Sequence, residues 1–296
     1  MSKISAFVIT CDKDPAILRA ALAAARFADE LVLINKGRRH GNLVSMAVGC
    51  QAHYVKDEWS PTVEPTRSAA LAACSHDWIV CLDDDEILSP ACAATVRDFI
   101  ASGSADVLQI PIKHYILGRH EPRAYYWPEW RPTLFRRGAV EFGPTVHGGT
   151  RIVGRAERLP QDHPAFITHL SHPDIATWLE KTNRYTSQVD RCGVEMPGFE
   201  PSPDCGPEWK VRWLGDWAMK TLANHVQQGR GDPYLDAAAI LRGLYDIIDG
   251  LKQWEATQPD GNAAFAEIAQ AEIERERQQR RVVSYRVPRR SSHGPK

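Results

Sequence analysis

With 296 residues, 43% of them hydrophobic and 25% charged, the chain can bury a core as one large domain or two modest ones and is not a disulfide-stapled miniprotein. A net charge of -1 excludes a bulk polyanion binder, so no specific nucleic-acid partner is expected. The seven cysteines form no CxxC pair and no metal-ligand spacing, which reads as free thiols in a reducing cytoplasm.

Ile4 to Thr10 is a short β-branched run, and Asp14-Pro15 then opens an alanine-rich helix to Arg26. It is too short for a signal-peptide core, and no apolar run spans a bilayer. The expected location is therefore the cytoplasm, with a peripheral position on the inner face of the cytoplasmic membrane left open. A second strand, Leu31 to Ile34, ends at Asn35-Lys36-Gly37 and is followed by a helix over Leu43 to Val48. Ala52 to Val55 reads as a third strand, Pro65 to Cys74 as a helix and Trp78 to Leu82 as a fourth strand. Apolar strands alternating with helices predict βαβ units and a parallel sheet. Ligands of such sheets bind at strand carboxyl ends, where Thr10-Cys11-Asp12, Asn35-Lys36 and Asp83 to Glu86 all fall. Neither GxGxxG nor GxxxxGK[ST] is present.

Asp83-Asp84-Asp85-Glu86 is a run of four acids directly after an apolar strand. Like charges so close raise one another's pKa, which calls for a cation among them. A divalent metal carrying a phosphorylated substrate fits; so does a solvated acidic turn before a helix capped at Ser89-Pro90. From Glu208 to Trp254 the apolar spacing is helical, giving two amphipathic helices separated by Gly229-Arg230-Gly231-Asp232-Pro233. They are expected to pack on the preceding α/β part; the first also carries three tryptophans with Lys210, Arg212 and Lys220, a composition suited to an anionic bilayer. A charged helix over Ala263 to Gln279 and a basic, disordered tail complete the chain.

Several of these segments, in order, resemble family-two glycosyltransferases with the GT-A fold. They are Ile4 to Thr10, Phe27 to Ile34, Arg67-Ser68-Ala69-Ala70-Leu71 and Asp77 to Glu86. Leu134 to Gly138, Val146-His147, His169-Leu170-Ser171 and Lys181 to Thr186 continue the likeness, which is greatest to bacterial lipopolysaccharide-core enzymes. The resemblance implies an α/β fold, a mixed, mainly parallel sheet flanked by helices, over residues 1–205. A C-terminal helical extension follows over 206–280, and the tail over 281–296. It implies a metal-dependent inverting hexosyltransferase of cell-envelope polysaccharide or lipopolysaccharide synthesis. The partners are a nucleotide-diphosphate sugar donor and a saccharide or lipid-linked acceptor.

In the family's DxD motif, here Asp83 and Asp85, the carboxylates bind the ribose and a divalent cation, Mn2+ or Mg2+. Asp85 and His147 are the implied metal ligands. Thr10, Asp12, Asn35, Arg67, Asp83 and Asp84 are the implied nucleotide-sugar contacts, Asp84 filling the variable middle position. An inverting transferase needs a carboxylate base for the acceptor hydroxyl. Glu129 is the first candidate and Asp162 the second, with Tyr125, Tyr126, Trp127 and Trp130 suited to stacking on a sugar. Two positions depart from the family: Asn35 stands where an aspartate usually accepts from the base, and Gly148 where a glutamate usually follows the histidine. They motivate an alternative, a catalytically impaired protein that still binds nucleotide sugars.

Overall fold

The computed structural model describes residues 2–37, 51–58, 63–143, 150–187, 231–256 and 260–284, with short helical stretches between 214 and 227. The expected helix at 43–48, His147, Gly148 and most of the tryptophan-bearing helix lie outside these residues, as does the tail beyond 284.

Three strands form the centre of the parallel half. β1 (Ile4–Thr10) lies between β2 (Glu30–Asn35) and β4 (Trp78–Asp83), and β3 (Gln51–Lys56) adds beyond β2. Their near-continuous apolar runs follow from cover on both faces. Ile4, Ala6, Val8, Leu31, Leu33, Val80 and Leu82 point to one side, against Leu18 and Leu22 of α1 (Pro15–Ala24). Phe7, Ile9, Val32, Ile34, Ile79 and Cys81 point to the other, against Ala70 of α2 (Glu64–Ala73). Asp14 caps α1, its Oδ1 accepting from Ala16 N at 2.8 Å, and proline takes the first helical position as its fixed φ favours.

The later strands make the sheet mixed. After β5 (Glu86–Leu88) and α3 (Cys92–Ser102) come β6 (Val107–Ile116) and β7 (Glu129–Arg136), and β7 runs antiparallel between β4 and β6. β8 (Val140–Glu141) and β9 (Arg151–Ile152) form a separate ribbon, and β10 (Ala156–Arg158) pairs with β6. β11 (Ile167–His172) lies parallel to β6 and antiparallel to β5, which completes the order β3-β2-β1-β4-β7-β6-β11-β5. This is the mixed, mainly parallel sheet flanked by helices that the resemblance implies.

The expected cap at Ser89 is corrected: α3 begins at Cys92, after Ala91. The Ser89 hydroxyl is used elsewhere, donating to Pro164 O at 2.8 Å and accepting from Phe166 N at 3.1 Å. It therefore ties β5 to the approach of β11 and is lost to the helix.

α4 (Ile175–Thr186) is capped by Asp174, which accepts from Thr177 N at 2.7 Å, and packs on α5 (Pro233–Glu255). α5 starts where the sequence predicts, after Gly231 at φ 77° and the cap Asp232. Leu235 and Ala238 join Ile116, Ala124 and Tyr126 in a third small core, which holds α5 against the end of β6. The last helix, α6 (Gly261–Ser284), runs beyond the expected end at Gln279 and beyond the expected boundary at 280.

Candidate active site

Parallel strands end on the same side, so β1, β2 and β4 deliver their last residues together: Ile9 pairs with Asp83 and Thr10 with Asn35. The acidic run turns directly into β5, the turn being closed by Asp83 N, which donates to Glu86 Oε2 at 2.9 Å. The solvated-turn reading is overturned: Asp85 is 6% exposed and Glu86 1%.

Buried carboxylates need counter-charge or protons, and here each has its own solution. Arg131 Nη1 lies 3.1 Å from Asp83 and also binds Glu86. Arg67 reaches Asp83 at 3.3 Å. Burial alone would raise the Asp83 pKa, but Arg131 and Arg67 outweigh it and hold the carboxyl below its usual range. Asp85 receives Lys13 Nζ at 2.6 Å, His169 Nε2 at 3.4 Å and Lys181 Nζ at 3.6 Å. Against the cost of burial these three keep it well below the usual carboxylate range.

Asp84 is the exception. Its partners are neutral, Thr10 Oγ1 at 2.8 Å and Cys11 N at 3.1 Å. Burial and then the charge on Asp85 push it up to about 7. Asp83 and Asp85 are thus fixed anions flanking a titrating middle residue. Burial likewise raises Glu86.

These groups wall a cavity of about 710 Å³ with Asp12, Lys36, Arg67, His114, Tyr125, Tyr126, Glu129, Arg131, His169, Lys181, Arg184 and Tyr245. Asp12 holds its place at φ 53°, with Gly37 packed on it: a Cβ at residue 37 would sit 2.6 Å from Asp12 Oδ1.

Thr10 and Asn35 lie behind the wall. Asn35 Nδ2 donates to Tyr54 Oη at 2.9 Å, and its Oδ1 accepts from Gly37 N at 2.9 Å. The amide is oriented by these bonds. Of the two carboxylates expected as base, Glu129 is on the wall, whereas Asp162 is exposed in the turn before β11 and is not.

The expected aromatic platform is smaller than the sequence implies. Trp130 is drawn away by its Nε1 bond to Leu159 O at 2.8 Å and by Arg158 over its ring, and Trp127 packs in the third core. Tyr125 and Tyr126 remain on the wall.

Among the described residues, no group of three or more His, Cys, Asp or Glu side chains gathers around one point as a metal cage would. Asp85 Oδ1 and His169 Nε2 do face each other, and a carboxylate with an imidazole is a donor set a divalent ion accepts while keeping positions for phosphate oxygens. The expected ligand His147 lies outside the described residues.

Sequence reasoning missed Lys13, His114 and Arg131, and gave no role to His169 or Lys181 although both lie in segments that carry the resemblance. Arg131 had one signal: it is two residues from Glu129 on a strand and so shares its face.

The sequence pattern described as Glycosyl transferase family 2 matches residues 5–153. A Rickettsia bellii protein described as an uncharacterized glycosyltransferase is 28% identical over 210 residues, 68% of this chain and 70% of its own length. A Rickettsia felis protein of the same description is 29% identical over 153 residues, 51% of this chain, which spans about half, 53%, of that relative. The crystal structure of S. aureus TarS 1-349 in complex with UDP-GlcNAc aligns over 85% of this chain and 92% of that one, with a TM-score of 0.47 and 14% identity.

Proposed function

We propose that this chain, which belongs to glycosyl transferase family 2, is a glycosyltransferase that moves a hexosyl group from a nucleotide-diphosphate donor to a hydroxyl of a saccharide or lipid-linked acceptor, with inversion. The observation that carries this reading is the convergence of Asp83, Asp85 and Glu129, with Lys13 and Lys181, on one cavity at the strand ends. The acceptor hydroxyl gives its proton to Glu129 and its oxygen attacks the anomeric carbon. The carbon–oxygen bond to the diphosphate breaks, and the diphosphate leaves with the electron pair.

Negative charge grows on that leaving group, so fixed positive groups lower the barrier. Lys13 and Lys181 stand beside Asp85 for this purpose, and Arg184 adds to the same wall. A divalent cation, Mn2+ or Mg2+, would be held by Asp85 and His169 and would neutralise diphosphate charge when bound. Asp83, held by Arg67 and Arg131, is a rigid anionic acceptor for ribose hydroxyls. Envelope polysaccharide or lipopolysaccharide synthesis is the setting proposed. Among the described residues no helix is long and apolar enough to cross a membrane.

A thermal-shift screen of nucleotide sugars, with and without Mn2+, tests the donor. A raised melting temperature with at least one nucleotide sugar supports the reading, and no response to any of them opposes it.

A further inference from the structure

Glu129 opens β7 and leans over the cavity with its side chain 55% exposed. A carboxylate so open samples several rotamers unless a neighbour holds it. His114 is such a neighbour, its Nε2 lying 2.9 Å from Glu129 Oε2. Behind it, His114 Nδ1 lies 2.8 Å from His169 Nδ1, and His169 Nε2 faces Asp85 Oδ1. Four side chains from four segments thus form one line, from the carboxylate over the acceptor side to the aspartate on the donor side.

Sheet register produces this line. His114 on β6 and His169 on β11 are direct partners on parallel neighbouring strands. Their ring centroids are 4.9 Å apart at 64°, and Tyr126 stands edge-on to His114 at 5.9 Å. The imidazole of His114 is therefore packed from two sides.

The hydrogen-bond polarity follows from the proposed base role, for which Glu129 is ionised. An ionised carboxylate only accepts, so His114 Nε2 carries the hydrogen toward Glu129. Nδ1 of the neutral ring is then an acceptor, and His169 supplies Nδ1–H. We propose that His114 is a positioning residue for acceptor deprotonation: held in the Nε2–H tautomer by His169, it aims the Glu129 carboxylate at the acceptor hydroxyl. The inference rests on Glu129 being the base in the proposed function.

Two measurements separate the inference from that reading. In the full chain labelled with nitrogen-15 histidine, long-range proton–nitrogen correlations report each ring's tautomer. His114 is expected as Nε2–H with Nδ1 accepting, and Glu129→Gln is expected to shift its Nε2 signal. An Nδ1–H tautomer at His114, or signals indifferent to Glu129→Gln, overturns the positioning role.

The second measurement is release of nucleoside diphosphate from a panel of UDP- and GDP-sugars. Glu129→Gln is expected to lower kcat by about 10²–10⁴-fold. His114→Ala is expected to lower it by about 10–100-fold, as misplacement of a reacting group does, with donor KM changed less than about twofold. His114→Gln, whose amide N–H can still reach Glu129, is expected to recover part of the loss. Wild-type kcat in His114→Ala beside an inactive Glu129→Gln overturns the inference alone. Full activity in Glu129→Gln with the tautomer as expected removes the base reading and leaves the hydrogen-bonded line standing.

Discussion

Arg131 lies 3.1 Å from Asp83 and also binds Glu86, so one guanidinium from β7 bridges the carboxylates that end β4 and begin β5. Glu86 is buried and Asp83 half-buried. Removing the cation while keeping its bulk leaves buried Glu86 without a guanidinium partner, whereas Asp83 keeps Arg67. Arg131→Met is expected to cost about 3–5 kcal/mol, the range for breaking one side of a buried pair. Chemical denaturation at neutral pH checks it, and a change below about 1 kcal/mol would show that the pair is solvated in solution.

Asp84 links stability to pH. Its folded pKa is about 7, against an unfolded value of about 3.9, so the folded state binds more protons between those limits. Stability contributed by this group is present at acid pH and declines as pH rises from about 4 to about 7. Asp84→Asn keeps an acceptor for Thr10 and Cys11 but removes the titration. The variant is expected to gain stability relative to the parent at pH 8 and little at pH 4, read from urea midpoints at both values.

Gly37 is required by Asp12. A methyl group at 37 meets both the Asp12 carboxylate and Asp12 N, at 2.6 Å and 2.7 Å, and backbone cannot yield as a flexible chain end does. Gly37→Ala is expected to displace Asp12 from the cavity wall, lowering the melting temperature and weakening whichever nucleotide sugar raises it in the parent. An unchanged ligand-induced shift would remove Asp12 from the donor site.

Divalent cation binding has its own test. If Asp85 and His169 supply the donors, Asp85→Asn and His169→Ala each remove the thermal shift that Mn2+ produces with a nucleotide sugar. Loss in Asp85→Asn with full retention in His169→Ala would instead place the second donor elsewhere in the chain.

The parallel half of the sheet was legible in the sequence because strands covered on both faces leave unbroken apolar runs, as Ile4–Thr10 and Glu30–Asn35 do. Asp83 to Glu86 was legible as a motif, but its burial was not, since a charge run on its own reads as solvent-facing. Its counter-ions come from the loop after β1, from β7 and from α4, and only tertiary folding brings Lys13, Arg131 and Lys181 to it. His114 carries no local signal at all; its meaning depends on β6 and β11 lying side by side in a register that puts it opposite His169. Trp130 shows the converse, an aromatic that composition assigns to a sugar site and that a backbone carbonyl claims instead.

The central claim is that the cavity at the strand ends transfers a glycosyl group with Asp85 on the donor side. Its most direct test is nucleoside diphosphate release from a panel of nucleotide sugars by the parent chain and by Asp85→Ala, with folding of the variant confirmed by circular dichroism. The account predicts release by the parent from at least one donor and its near-complete loss in a folded Asp85→Ala. Equal release by the two proteins would contradict it.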